Sequence, residues 1–222
     1  MTLSVERFVS DLLDSNMYVV SEGSRHVVVD PCRQIPLADT DVVDYLLLTH
    51  EHYDHSSGIG LWKERFPEAR VVTSRAGARN LEDPKKNMAR YFSLYCEMQQ
   101  WVEVDTAPSV DTSFAVRADI AFEGALTIRW LGHVIRLFGL PGHSAGGVGI
   151  ILDDCLFFSG DSLLPSMKTE CRFPGGSERD WREVSVPILQ GLSPSLTVLP
   201  GHFDTFGFAG EENLLFSEGE KP

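Results

Sequence analysis

The sequence predicts an α/β protein in which two β-sheets pack together and helices cover their outer faces. Short apolar runs bounded by turn residues fall into two groups, within residues 16–74 and 125–160, and helix-like segments accompany each group. The chain has 222 residues, of which 43% are hydrophobic and 23% charged, so it can bury a large core. We therefore expect a single domain over residues 1–222, with a helical insertion at about 81–112.

The first group contains four strand-like runs, which are NMYVVS, RHVVVD, VVDYLLLT and ARVVTS. Gly23 lies in the turn SEGSR between the first two runs, and this turn predicts a hairpin. Ser56 and Ser57 stand where a helix N-cap belongs, and the helix that follows them ends before Pro67. The apolar face of this helix consists of Ile59, Leu61, Trp62 and Phe66.

Residues 81–112 interrupt the alternation of strands and helices. Asp83 and Pro84 form a favourable helix start, which predicts one helix over DPKKNMARYFSLYCEMQQW. An apolar stripe with near-helical spacing consists of Met88, Tyr91, Phe92, Tyr95 and Met98. We interpret this stripe as facing the core, and the alternative is a lid or homodimer surface whose tyrosines line a substrate pocket.

The second group contains the strand-like runs ALTIRW, HVIRLFGL, GGVGIILDD and CLFFSG. An amphipathic helix is predicted over Glu178 to Gln190, and SLTVLP is predicted to form a last buried strand. The two successive groups of strands are the reason to expect two sheets rather than one.

Charge and composition exclude several classes of protein. Lys and Arg total 19 against 32 Asp and Glu, so the net charge of −13 disfavours nucleic acid and anionic membranes as partners. The N-terminus shows no export leader and no segment is long enough to span a membrane, so we expect a cytoplasmic protein. The four cysteines show no paired spacing and are expected to be free thiols: Cys32, Cys96, Cys155 and Cys171.

Five of the seven histidines lie in three short loops, each directly after a strand-like run. These loops are THEHYDH, PGHSAGG and LPGH, and a fourth loop, SGD, adds an aspartate. Together they supply seven candidate metal ligands: His50, His52, Asp54, His55, His143, Asp161 and His202. His26 and His133 lie inside strand-like runs and are interpreted as structural.

The spacing within THEHYDH indicates which ligands can bind the same metal ion. In extended backbone His50 and His52 project to the same side and can share one cation, and Asp54 keeps that parity. His55 changes side and can turn toward a second ion. A glycine precedes each later ligand and allows a tight turn beside the ions: Gly142, Gly160 and Gly201.

Seven ligands are too many for one tetrahedral zinc ion. Two divalent ions that share Asp161 as a bridge, with a hydroxide between them, would use all seven and keep positions open for substrate. Imidazole and carboxylate donors suit zinc first, with iron or manganese as alternatives.

The four motifs, in this order, resemble the metallo-β-lactamase fold superfamily, and the resemblance extends from about Asn16 to His202. It implies an αββα sandwich of two mixed β-sheets with the metals at one edge. The segments FFSGDSLLPS, RFPGGSERDWREVSVPILQGL and VLPGHFDTFGFAGEENLL are most similar to glyoxalase II (hydroxyacylglutathione hydrolase) proteins. True β-lactamases of this fold usually lack the aspartate that Asp161 supplies, so antibiotic hydrolysis is not expected.

The resemblance implies that a metal-bridged hydroxide attacks a thioester or ester of a small molecule. Asp54 would be the catalytic residue, because it would hold one metal, orient the hydroxide and take up a proton. The chain ends 20 residues after His202, so the glutathione-binding helical domain of glyoxalase II is not expected. Arg172 and Lys168 are candidates to bind a substrate carboxylate or phosphate, or are solvated charges.

Three alternatives stay open. A phosphodiesterase or nuclease uses the same pair of metals, although the acidic charge disfavours a polyanionic substrate. A mono-iron sulfur dioxygenase is also similar to glyoxalase II in sequence. The third alternative is a metal-holding effector protein whose turnover is incidental.

Overall fold

Two six-stranded β-sheets form the framework of the protein. The computed structural model describes residues 2–98, residues 109–210 and Leu214. The first sheet contains, in spatial order, β1 (Ser4–Val9), β2 (Asn16–Glu22), β3 (Arg25–Val29), β4 (Val42–Leu47), β5 (Arg70–Ser74) and β6 (Ile120–Phe122). Its first three strands pair antiparallel and the rest pair parallel.

The second sheet is also mixed. In chain order it contains β7 (Ala125–Trp130), β8 (His133–Gly139), β9 (Val148–Leu152), β10 (Leu156–Gly160), β11 (Thr197–Pro200) and β12 (Phe206–Gly207), and the spatial order is the same. Only β10 and β11 pair parallel among the described strands of this sheet. The predicted division into two sheets is confirmed.

The helices are short. They are α1 (Tyr53–Ser56), α2 (Ile59–Arg65), α3 (Arg75–Leu81), α4 (Phe92–Met98), α5 (Glu178–Asp180) and α6 (Val186–Gln190). A 3₁₀ turn, Ala89–Tyr91, precedes α4, and a π turn, Trp181–Ser185, joins α5 to α6. The helix predicted over Glu178 to Gln190 is therefore present, with a wider turn just before Pro187.

Alternation along the strands creates three apolar layers. In β3, Val27 and Val29 face the second sheet, whereas Val28 packs under α2 with Trp62. In the second sheet, Ile151 belongs to the layer under the π turn and α6, together with Trp181 and Leu189. One apolar layer thus lies between the sheets and one lies under the helices on each side, which confirms the αββα architecture.

The predicted N-cap at Ser56 and Ser57 is wrong. Ser56 is the last residue of α1, and its hydroxyl donates to the carbonyl oxygen of His52 at 2.9 Å. The N-cap of α2 is Gly58, which offers no side-chain cap. The predicted apolar face is right for Ile59, Trp62 and Phe66, which are buried, but Leu61 is 45% exposed.

The single helix predicted from Asp83 is also wrong. Met88 has a left-handed backbone with φ of 68°, which separates the turns at 83–87 from the helical residues 89–98. Helical spacing of apolar residues cannot reveal such a break. Phe92 is buried as predicted, whereas Tyr91 is exposed, and residues 99–108 of the predicted insertion lie outside the described part.

The two neighbours on α2 give a matched test of this packing. Trp62 is fully buried and its indole donates to the carbonyl oxygen of Cys32 at 2.8 Å. Trp62→Ala is expected to lower the free energy of unfolding by roughly 3–5 kcal/mol. Leu61→Ala is expected to change it by less than about 0.5 kcal/mol, since half of that side chain already meets water. Urea denaturation measures both, and equal losses would contradict the orientation of α2.

Candidate metal centre

Loops at the ends of four strands bring the seven predicted ligands together. His50 to His55 follow β4, His143 lies between β8 and β9, and Asp161 and His202 follow β10 and β11. Six of the seven residues are buried, and His202 is partly exposed. Burying so many titratable groups together requires a compensating partner.

Three imidazoles form the first group. Potential ligand atoms of His50, His52 and His143 all lie within 4.8 Å of one another. His143 Nε2 is 3.1 Å from His52 Nδ1, and the rings of His50 and His52 are 4.7 Å apart. The pairing of His50 with His52 that the sequence predicts is therefore present, with His143 as the third member.

A carboxylate and two imidazoles form the second group, which contains Asp54, His55 and His202. Asp54 Oδ2 lies 3.3 Å from His55 Nε2 and 3.4 Å from His202 Nε2. The prediction that the Asp54 side chain projects to the same side as His50 and His52 is wrong. Because the chain turns into α1 at Tyr53, the alternation of an extended strand no longer applies to Asp54.

Asp161 lies between the two groups. Its Oδ2 atom is 3.6 Å from His143 Nε2 and 3.4 Å from His202 Nε2. Its Oδ1 atom is 3.6 Å from His55 Nε2. One carboxylate thus reaches imidazoles of both groups, which is the position that a bridging ligand needs.

Several buried atoms in this cluster lack a hydrogen-bond partner. His50 Nε2, His52 Nε2 and Asp161 Oδ1 are all in this state. A buried polar atom without a partner is costly, and each of these three atoms can donate a lone pair to a cation. The donor set of nitrogen and oxygen atoms therefore fits divalent metal ions.

Backbone carbonyl oxygens accept hydrogen bonds that orient two of the imidazoles. His143 Nδ1 donates to the carbonyl oxygen of Glu170 at 2.8 Å, and His202 Nδ1 donates to that of Leu13 at 3.0 Å. Each of these bonds turns the Nε2 atom toward the cluster. This is the usual arrangement of a metal-binding histidine.

Burial keeps the first group neutral. It lowers the pKa of His52 to about 4 and that of His143 to about 4, although nearby carboxylates oppose the shift. Burial, with the neighbouring His55, also holds the pKa of His50 well below its usual value. Neutral imidazole is the form that binds a cation, so this group is ready to do so at neutral pH.

The second group attracts positive charge. Burial disfavours the protonated imidazoles, but Asp54 and Asp161 outweigh it at His55, whose pKa lies well above normal. Asp161 has the same effect on His202 and raises its pKa to about 10. Burial also opposes ionisation of Asp54, yet the charge of His55 holds its pKa well below normal. Protons on His55 and His202 thus supply the positive charge that a bound cation would supply.

Two of the predicted glycines bring backbone close to the ligands. Gly160 has φ of 51°, a left-handed conformation that favours glycine. A Cβ atom on Gly201 would clash with Asp161 Oδ1 and lie 2.9 Å from His55 Cε1. Small residues are therefore required where the ligand loops meet.

Sequence reasoning missed Asp30. This buried residue follows β3, and its Oδ1 atom accepts from the amide of Thr49 at 2.7 Å. Its Oδ2 atom lies 3.2 Å from His55 Nδ1 and accepts from the Thr49 hydroxyl at 2.6 Å. Asp30 therefore orients His55. The signal was present in VVVDP, an aspartate at the end of a strand next to the one that carries the histidines.

The remaining predicted residues lie around this centre. His26 and His133 are outside it, where His26 Nδ1 contacts Ser21 Oγ at 2.8 Å and His133 Nδ1 contacts Asp153 Oδ2. The predicted cations pair with carboxylates: the Arg172 guanidinium with Glu170, and Lys168 with Glu178.

Two aromatic side chains border the first group, and only one of them was a candidate from the sequence. The Phe173 ring lies 5.6 Å from the His52 ring and 5.2 Å from the His143 ring. The ring of Tyr95 on α4 lies 5.1 Å from that of Phe173. Tyr95 thus lies near the site, which agrees with the alternative interpretation of its stripe, and the phenylalanine that connects it to the site was not predicted.

The described helices include none that is both long and apolar enough to cross a membrane. Within the described chain, Cys32, Cys96, Cys155 and Cys171 are all free thiols, as predicted.

Comparison with curated proteins identifies similar hydrolases. The chain is 28% identical over 193 residues to the probable polyketide biosynthesis zinc-dependent hydrolase BaeB of Bacillus velezensis, covering 83% of this chain and 71% of that protein. It is 25% identical over 194 residues to a hydroxyacylglutathione hydrolase of Shewanella halifaxensis, covering 86% of this chain. The chain spans only 56% of the length of that second relative.

Comparison with solved structures confirms the fold. The B3 metallo-beta-lactamase BLEG-1 matches with a TM-score of 0.73 and 19% identity, over 96% of this chain and all of that one. TTHA1623, solved in a di-iron-bound form, matches with a TM-score of 0.68 and 22% identity, over 93% of this chain and 96% of that one.

The family model agrees with both comparisons. The model described as the metallo-beta-lactamase superfamily matches residues 10–202, which includes every ligand loop. The chain therefore belongs to the metallo-beta-lactamase superfamily.

Proposed function

We propose that this protein is a binuclear metal-dependent hydrolase that cleaves a thioester or ester of a small molecule. The observation that carries the proposal is the position of Asp161 between two adjacent ligand groups. The names of the relatives support a metal-dependent hydrolase in general, with zinc as the first choice. The di-iron form of TTHA1623 supports two ions in this fold and keeps iron as an alternative.

The two groups would each hold one cation. His50, His52 and His143 would hold the first, and Asp54, His55 and His202 the second, with Asp161 shared between them. Bound cations would supply water of lowered pKa and polarise the carbonyl of the substrate. Burial keeps the imidazoles of the first group neutral. The carbonyl oxygens of Glu170 and Leu13 turn the rings of His143 and His202 toward the centre of the site.

Asp54 is the proposed catalytic residue. It is buried, and its Oδ2 atom already faces His55 and His202, so it can orient the attacking water in the second group. Its carboxylate would accept the proton that this water gives up. A thiolate or alkoxide leaving group then departs as the carbon–sulfur or carbon–oxygen bond breaks.

The substrate would carry an apolar group next to the reacting carbonyl. Phe173 and Tyr95 form an aromatic wall beside His52 and His143, and aromatic faces bind apolar groups well. Arg172 and Lys168 are engaged by carboxylates, which makes them weaker anchors for an anionic substrate.

Activity of a histidine variant tests the proposed reaction. Zinc-loaded protein is expected to hydrolyse members of a thioester and ester panel. His52→Ala should lower kcat/KM by more than about 100-fold, beyond the loss typical of residues that only support a ligand. His133→Ala is the matched control, because that histidine lies outside the cluster, and it should retain full activity.

Other outcomes identify the alternatives. Cleavage of bis(p-nitrophenyl) phosphate alone would reject the proposal in favour of a phosphodiesterase. Oxygen uptake with a persulfide by protein that holds one iron would indicate a sulfur dioxygenase. Tight metal binding with no turnover of any substrate would indicate an effector protein.

The aromatic wall predicts a preference among substrates. Phe173→Ala should lower kcat/KM for a decanoyl thioester by roughly tenfold, the scale of lost contacts in an apolar pocket. For the acetyl thioester of the same thiol the change should be small, because an acetyl group is too short to use the wall. An equal loss for both substrates would show that Phe173 supports the histidines and does not select the substrate.

The pKa shifts predict how pH affects the metal-free protein. The His202 pKa of about 10 exceeds the ordinary 6.5, so its stabilisation is complete below pH 6.5 and disappears as pH rises to 10. His52, with a pKa of about 4, acts oppositely, since the unfolded chain binds a proton there between pH 6.5 and 4. Thermal unfolding after chelation should therefore show greatest stability near pH 6.5, the shared ordinary value.

Zinc provides the control for this pH profile. A bound cation would replace the proton on His202, so the alkaline loss of stability should disappear when zinc is added. If zinc-treated and chelator-treated protein lose stability equally above pH 6.5, His202 does not exchange its proton for a cation.

A further inference from the structure

Glu51 is a buried carboxylate that the proposed reaction does not use. It lies between His50 and His52 in the chain and is fully buried. Because neighbouring side chains of extended backbone point in opposite directions, Glu51 faces away from the imidazoles on either side. Its contacts confirm this, since they are with other segments of the protein.

Both oxygens of Glu51 accept a hydrogen bond. Asn80 Nδ2, on α3, donates to Oε1 at 2.7 Å. Ser144 Oγ, directly after His143, donates to Oε2 at 3.0 Å. Asn80 and Ser144 are themselves buried. One carboxylate therefore connects the loop after β4, the helix α3 and the loop that carries His143.

The loop at 143–147 is pressed against this carboxylate. A Cβ atom on Gly146 would clash with Glu51 Oε2 and with the backbone of Gly77 in α3. The Ser74 hydroxyl donates to the carbonyl oxygen of Gly146 at 2.9 Å, which ties the loop to the start of α3. Glycine at 146 thus lets the loop approach closely enough for Ser144 to reach Glu51.

The loop ends are held independently of Glu51. The amide of Leu140 donates to the carbonyl oxygen of Gly147 at 2.8 Å, which closes the base of the loop. The His143 Nδ1 atom donates to the carbonyl oxygen of Glu170, and its Nε2 atom lies 3.1 Å from His52 Nδ1. In the middle of the loop, Ser144 provides the hydrogen bond to Glu51, which directly precedes His52 in the chain.

We propose that Glu51 is a positioning residue that holds His143 in register with His50 and His52, and so determines the affinity of the three-imidazole group for a cation. It acts through Ser144 and does not itself bind the ion. The inference rests on the proposed two-ion centre, because it requires a cation in the first group. It predicts an effect on one group and none on the other.

Zinc titration against a competing chelator tests this inference. The wild-type protein should bind two equivalents of zinc. Glu51→Ala should weaken one binding step by about 10- to 100-fold, the range for residues that orient a ligand, and should leave the other step unchanged. The affected step should be the one that His143→Ala abolishes, and not the one that His202→Ala abolishes.

A conservative variant separates positioning from charge. In Glu51→Gln the amide oxygen can accept from Asn80 and the amide nitrogen can donate to Ser144 Oγ, so both hydrogen bonds survive without the charge. We expect zinc affinity close to wild type. A loss as large as that of Glu51→Ala would overturn the inference, because positioning through hydrogen bonds would then not account for the effect.

Two more variants address stability. Leu137→Ala removes a fully buried side chain between the sheets, so it should lower Tm while both zinc affinities stay unchanged. If Glu51→Ala does not fold, Ser144→Ala, which removes only the hydroxyl, should weaken the same step to a smaller extent. Unchanged affinity in Ser144→Ala and in any folded Glu51→Ala would overturn the inference. Wild-type protein that binds no zinc would instead reject the proposed function.

Discussion

Burial of Asp54 and Asp161 among five imidazoles is the constraint on which the rest of this site depends. Two carboxylates removed from water need positive charge close by, and His55 and His202 supply it as protons when no cation does. The three remaining imidazoles are kept neutral by burial. The group that contains Asp54 therefore carries negative charge that a cation would balance. The three-imidazole group has lone pairs that can bind a cation. Both properties favour divalent cations.

The sandwich makes this crowding possible. Each sheet ends in loops at the same edge, and the apolar layer between the sheets, which includes Val27 and Phe158, holds the two sheets together. Asp30 and two backbone carbonyl oxygens then accept hydrogen bonds that fix the rings of His55, His143 and His202. The geometry of the ligands therefore depends on both sheets, whereas the aromatic wall belongs to the loop that carries Phe173 and to α4, which carries Tyr95.

Local patterns in the sequence predicted much of this structure. Short apolar runs in RHVVVD and in GGVGIILDD identified β3 and β9, and loops rich in histidine identified the ligands that converge. Features set by distant contacts were not predictable in this way. Glu51 meets Ser144 from 93 residues away, and the grouping of Asp54 depends on a helical turn that starts at Tyr53. The short strands β1, β6 and β12 were missed, because they carry too few residues to show a period or too mixed a pattern.

The central claim is that two cations share Asp161. Anomalous diffraction from crystals of zinc-loaded protein measures this most directly, because it locates each metal ion independently of the protein model. On this claim we expect two peaks per chain, one among His50, His52 and His143 and one among Asp54, His55 and His202, with an Asp161 oxygen bound to each. A single peak, or two peaks of which only one contacts Asp161, would contradict it.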